Sequence, residues 1–144
     1  MEHAPSVVSQ SLTLELIDAS GAASPLEAEL GYDASDPFAV VAVFRADDIR
    51  IRWVLGRDLL AEGIFAPAGD GDVHVWPCLD ARGRAVVILE LSSPHGEALL
   101  QAASSDVNDF LQRTFELVPR GAEDVALDLD EALFRLLDDG TTPL

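Results

Sequence analysis

The chain has no lysine, one cysteine, one methionine and one tyrosine in 144 residues. Without lysine there is no phosphate-binding loop of the Walker type, which places that residue after its glycines. The lone Cys78 excludes an internal disulfide and any zinc site built from several cysteines. It ends an apolar strand pattern, so a buried, inert thiol is expected there, in keeping with a reducing compartment. Long hydrophobic runs are missing too. The longest, Phe38 to Phe44, falls far short of the ~20 residues of a membrane helix. The opening "MEHAPSVVSQS" has no basic stretch followed by an apolar run, the pattern of a secretory signal. These absences together predict a soluble cytoplasmic protein.

Positive charge is also scarce. Nine basic residues, all arginine, face 26 acidic ones, for a net charge of −17. Nucleic-acid affinity rests on cations that displace phosphate counterions, so this chain repels a polyanion at long range. It offers no polybasic segment to an anionic membrane either. Arginine without any lysine matches the coding bias of a GC-rich genome.

What is present is enough for a core. Hydrophobic residues make up 49% and charged residues 24% of the chain. A domain of this length buries roughly 68–70% of the surface its unfolded chain exposes, without help from metal or disulfide. We therefore expect one domain over residues 1–144, with 1–10 and 139–144 as flexible ends.

Period-2 alternation dominates the first half. "SLTLELI" sets Leu12, Leu14 and Leu16 on one face, and "LEAELGY" does the same with Leu26, Ala28 and Leu30. "FAVVAVF" is apolar throughout, which predicts a strand covered on both faces. "IRIRWVL" opposes Ile49, Ile51, Trp53 and Leu55 to Arg50 and Arg52. Turn-rich "DASGAASP", "DASDP" and "RADD" separate these four strands, as in an antiparallel meander. "GRDLLAEG" predicts a short helix closed by Gly63, and "IFAPAGDG" a loop. "DVHVWPCL" and "RAVVILELS" pair as a hairpin across "DARG".

The period then changes to 3.6. "SPHGEALLQA" begins a helix on the Ser93 cap and Pro94. "SDVNDFLQRTFELV" aligns Val107, Phe110, Leu111, Phe115 and Val118 on one stripe. "DLDEALFRLLDDG" opens on Asp128 and Glu131 as a capping box and buries Leu129, Ala132, Leu133, Leu136 and Leu137. The fold class is α+β, a largely antiparallel sheet of about six or more strands with a short helix after the fourth and helices at the C-terminus. Strands followed by a helix occur twice, the outline of a structural duplication.

The stretch "GDGDVHVWP", Gly69 to Pro77, is the first place to test for chemistry. On one strand Asp70, Asp72 and His74 would share a face and offer oxygen and nitrogen ligands to a metal. Glycines on either side of Asp70 mark a turn instead, and His3 and His95 have no ligand spacing to the group. A dinucleotide fingerprint needs its glycines between a strand and a helix, whereas these precede a strand. Ser92, Ser93 and His95 lie together at an element start, where capping accounts for Ser93 without nucleophilic catalysis. No catalytic constellation, metal site or cofactor site emerges.

Arg45, Arg50, Arg52 and Arg57 fall within thirteen residues, beside Trp53. Arginines and an aromatic on one sheet face can stack single-stranded bases. Alternation puts Trp53 opposite Arg50 and Arg52, so the tryptophan reads as core and the arginines as partners of local acids. What remains is a surface for protein. Arg50, Arg52, His74 and Trp76 are the partner-binding residues that the sequence nominates.

"GYDASDPFAV", "WVLGRDLLAEG", "PAGDGDVHVWP" and "LSSPHGEALL", in this order and spacing, resemble the SsgA-like proteins of sporulating actinobacteria. The resemblance runs from about Leu12 through the Asp128 segment, leaving "MEHAPSVVSQS" and "LLDDGTTPL" individual to this chain. It implies a turn and strand at "GDGDVHVWP", a fold like that of the whirly single-stranded-DNA-binding proteins, and a homotrimer. It also implies no catalytic activity and a role as adaptor in sporulation-specific cell division. That role is to position septa and to bind the tubulin-like FtsZ and SsgA-like paralogues, concentrated at septa. The other expectation is a single-stranded nucleic-acid-binding module.

Overall fold

The computed structural model describes residues 6–127 and 135–136. Four strands lead into a helix: β1 (Val7–Ile17), β2 (Ala23–Asp33), β3 (Ala39–Ala46), β4 (Ile49–Gly56) and α1 (Arg57–Gly63). Four more lead into a second: β5 (Ala68–Asp70), β6 (Val73–Leu79), β7 (Ala85–Ser93), β8 (Gly96–Ala103) and α2 (Ser104–Leu117). All eight strands form one curled sheet in the order β4-β3-β2-β1-β8-β7-β6-β5. Every pairing is antiparallel, and Glu15–Ile17 against Leu99–Gln101 joins the two meanders. The fold is α+β, and the expected recurrence of strands followed by a helix is present.

Local chemistry makes the turns. Asp18 Oδ1 accepts from the backbone N–H groups of Ser20 and Ala22 at 2.8 and 3.0 Å, while Gly21 takes φ 85°. The same Asp-x-x-Gly device closes β6–β7. There Asp80 Oδ1 accepts from Arg82 and Arg84 N–H, both at 2.9 Å, with Gly83 at φ 77°.

One sheet face and the two helices enclose the core. Leu12 and Leu14 of β1, Ala28 and Leu30 of β2 and Val87, Leu89 and Leu91 of β7 all point inward. α2 lays Val107, Phe110 and Leu111 across that face, each worth roughly 1.5–3 kcal/mol on burial. Gln10 Nε2 ties the helix to β1 by donating to Asp106 O at 3.0 Å. α1 leaves β4 and packs on β5 and β6, so the two ends of the strand order flank this helix. Among the described residues no helix is long and apolar enough to cross a membrane.

Several expectations need correction. β1 begins at Val7 and Val8 is buried, so the lead-in 1–10 contributes four residues to the sheet. "FAVVAVF" alternates buried Val40, Ala42 and Phe44 with half-buried Ala39, Val41 and Val43, so one face only is fully covered. β5 occupies the expected loop, and Gly63 ends within α1, whose cap is Ile64.

The predicted helix "SPHGEALLQA" is instead the β7–β8 turn and strand β8. Pro94 and His95 form a tight turn between the paired Ser93 and Gly96, and Gly96 takes φ 138°. Residues 123–127 are helical, and Leu136 is exposed rather than buried. The Asp128–Glu131 box, Leu129, Ala132, Leu133, Leu137 and the end 139–144 lie outside the described residues.

Candidate functional site

Each strand alternates between core and outer face, and register alignment shows which outer side chains are neighbours. Near one end, Arg50 of β4 stands opposite Arg45 of β3, which stands opposite Glu27 of β2. The next row is Arg52, Val43 and Glu29, and the one after is Val54, Val41 and Gly31. Arg45 and Glu29 are 3.9 Å apart with both side chains about half exposed, a weak pair. Arg50 and Arg52 are exposed and, among the described residues, make no ion pair. The expectation of local acid partners therefore holds for Arg45 and fails for these two.

Near the other end, His74 of β6 faces Glu90 of β7, with Nδ1 3.6 Å from Oε1. Gly69 lies opposite His74 on β5, and a Cβ there would run into the imidazole ring. Trp76 is half-buried beside Ile88, which is itself buried on this outer face. His74, Trp76, Glu90 and Pro67 border an open hollow of about 350 Å³. Six strand spacings separate β4 from β6, roughly 29 Å along the sheet. The four nominated residues thus share a face but form two patches, Arg50 with Arg52 and His74 with Trp76.

The "GDGDVHVWP" segment is a hairpin. Asp70 pairs with Val73 at its turn end and Gly71, at φ 61°, turns the chain, so Asp70, Asp72 and His74 do not line one strand. Among the described residues no three of His, Cys, Asp and Glu assemble as a metal site. Ser93 Oγ accepts from His95 N–H at 3.2 Å, which commits that hydroxyl to the turn. Cys78 is exposed, contrary to the buried thiol expected, because its side chain falls on the outer face of β6 near the strand end.

The largest departure from the sequence reading is Arg57. It leaves the arginine cluster entirely and is fully buried. Nη1 donates to Thr114 O at 3.1 Å and Val118 O at 2.7 Å, and Nη2 to Glu123 Oε2 at 2.9 Å. The guanidinium stacks between Tyr32 and Phe115, 4.9 and 4.3 Å from their ring centres. Tyr32 Oη donates to Pro37 O at 2.9 Å, and burial pushes this phenol up to about 12. Glu123 is held below the usual carboxylate range by its own backbone N–H, against the opposing effect of burial. Arg57 and the Gly121 N–H add to the lowering. Sequence reasoning missed this knot because Arg57 lies 57 to 66 residues from the groups it hydrogen-bonds.

A single curled antiparallel sheet with both helices packed on one face defines an α+β protein. Residues 26–123 match the family described as Streptomyces sporulation and cell division protein, SsgA. The chain belongs to this SsgA family. It is 49% identical over 138 residues to the "Sporulation-specific cell division protein SsgB" of Kineococcus radiotolerans, covering 95% of this chain and 84% of that one. The protein of the same name from Streptomyces coelicolor is 46% identical over 131 residues, 90% and 95% of the two chains.

Two solved structures share the fold. The "SsgA-like sporulation-specific cell division protein" of Thermobifida fusca superposes with TM-score 0.84 at 37% identity, over 94% of this chain and 98% of that one. A structure described as "Mutations in SsgB correlate to longitudinal cell division during sporulation of Streptomyces coelicolor" gives TM-score 0.81 at 44% identity, over 88% and 99%.

Proposed function

We propose that the chain acts in sporulation-specific cell division as a non-enzymatic adaptor. It helps to position septa and recruits FtsZ through protein–protein contacts, assembling as a homotrimer and binding SsgA-like paralogues at the septum. One observation carries the reading: nearly half of its residues are identical to a sporulation-specific cell division protein over 95% of the chain. The outer sheet face supports it, since Arg50, Arg52, His74 and Trp76 offer charge and apolar area to a partner. The family is one of division proteins and not a known enzyme family, which supports an adaptor over a catalyst.

A pull-down from dividing, sporulating cells tests this. Recovery of FtsZ or a family paralogue with the purified chain is the expected result, and recovery of neither contradicts it. The nucleic-acid reading, with its whirly-like fold, is weakened by the loss of Arg57 to the core and by the charge of −17. A mobility shift with single-stranded DNA at physiological salt is expected to show no complex.

A further inference from the structure

β4 is the last strand of the sheet, and among the described residues only β3 pairs with it. The Arg57 N–H donates to Phe38 O at 2.8 Å, which fixes the phase of that pairing. Hydrogen-bonded and non-bonded pairs alternate along an antiparallel ladder. Val40–Leu55, Ala42–Trp53, Phe44–Ile51 and Ala46–Ile49 therefore exchange bonds across β3–β4. Arg50, Arg52 and Val54 aim their backbone N–H and C=O groups the other way, at the open edge. Their side chains stand on the outer face, while Ile51 and Trp53 alternate with them on the core face.

Edges of this kind are usually short, or blunted by proline, a bulge or charged side chains. Of these β4 carries only the charges of Arg50 and Arg52, which turn away a like-charged strand and admit an acidic one. β4 runs eight residues without proline, with Ile49 61%, Ile51 47% and Val54 50% exposed. Arg45 and Arg50 stand directly opposed in a non-bonded pair, the closer spacing, where like charges repel. A carboxylate on the open side of Arg50 would supply the counter-charge that β3 does not. A second copy of β4 would not, because antiparallel pairing of the strand with itself brings arginine against arginine or leaves Arg50 and Arg52 without acid.

We propose that the β4 edge takes up an extended segment of a partner protein as an added strand. The segment alternates acidic residues, placed opposite Arg50 and Arg52, with apolar residues placed beside Ile51 and Trp53. This rests on the reading of the chain as a protein-binding module and names the chemistry of what it binds.

Fluorescence anisotropy of the full chain with two labelled synthetic peptides tests it, one alternating glutamate with valine and the other lysine with valine. The acidic peptide is expected to bind, more weakly at high salt, and the basic one not to bind. Double reversal, Arg50→Glu with Arg52→Glu, lowers the affinity about tenfold or more. Methylating those peptide nitrogens that face β4 abolishes binding and methylating the alternate set does not, a readout independent of how any variant folds. Val54→Pro removes an outward N–H that β3 does not use, and lowers binding as well.

Equal binding of both peptides, no effect of charge reversal, or indifference to which nitrogens are methylated overturns the proposal. So does dissociation of a self-assembly by Val54→Pro in a protein that captures neither peptide, which would give the edge to a second copy. Peptide capture without recovery of FtsZ or a paralogue would leave the edge standing and remove the division role. The reverse result would remove the edge alone.

Discussion

Arg57 is the residue on which most of the C-terminal packing turns. Its guanidinium joins the start of α1 to the end of α2 and to Glu123, and its Nε has no hydrogen-bond partner among the described residues. Removing one member of such a buried pair strands the other charge, so Arg57→Ala should cost about 3–5 kcal/mol in urea unfolding. Acid should weaken the same knot. The Glu123 carboxyl is lowered in the folded chain, so its contribution is complete above the unfolded value of about 4.3 and is lost as pH falls through the folded one. Tyr32 acts at the other end of the scale. Raised to about 12, it contributes fully below about pH 10 and loses that contribution as pH climbs toward 12. Unfolding midpoints measured from pH 2 to 7 should fall at the acid end in the native chain and less so in Glu123→Gln. None of this was legible in sequence, where Arg57 is one more arginine in a cluster and its partners come from distant segments. Ile49 and Ile51 misled for a related reason. They do lie on the inward face, but at the end of β4 that reaches past the core.

At the scale of elements, six of the strands, the β6–β7 hairpin, α1 and α2 were legible: β1, β2 and β4 from period-2 alternation, β3 from its apolar run, and α2 from a 3.6-residue stripe that is buried. β8 failed that test. Leu99 is half-buried on the outer face and Leu100 buried on the core face, so the run has no clean period of two, and Ser93-Pro94 imitates a helix start. β5 is three residues long, too short for any period. The fit of α1 to β6 gives a direct check. A Cβ on Gly63 would meet the Val75 side chain well inside contact distance. Ala gains at most about 1 kcal/mol over Gly from helix propensity, whereas overpacking costs typically 1–3. Gly63→Ala should therefore be net destabilising in chemical denaturation, and less so in a Val75→Ala background, where the clashing methyls are gone.

Over the whole molecule the acidic excess was plain from composition, and the α+β class from the change of hydrophobic period along the chain. Where the scarce cations lie was not, since burial takes one arginine and alternation distributes the others. A chain with net charge −17 repels itself, so screening should favour the compact state. Its melting temperature should rise by a few degrees between roughly 20 mM and 0.5 M sodium chloride. The same excess makes the exposed Arg50 and Arg52 distinctive to a partner at close range. The most direct measurement of the proposed role is time-lapse imaging of a fluorescently tagged copy beside labelled FtsZ in sporulating hyphae. The account predicts that the tagged chain gathers at future septa before FtsZ rings form there. Rings assembling on schedule where the chain is diffuse or deleted would contradict it.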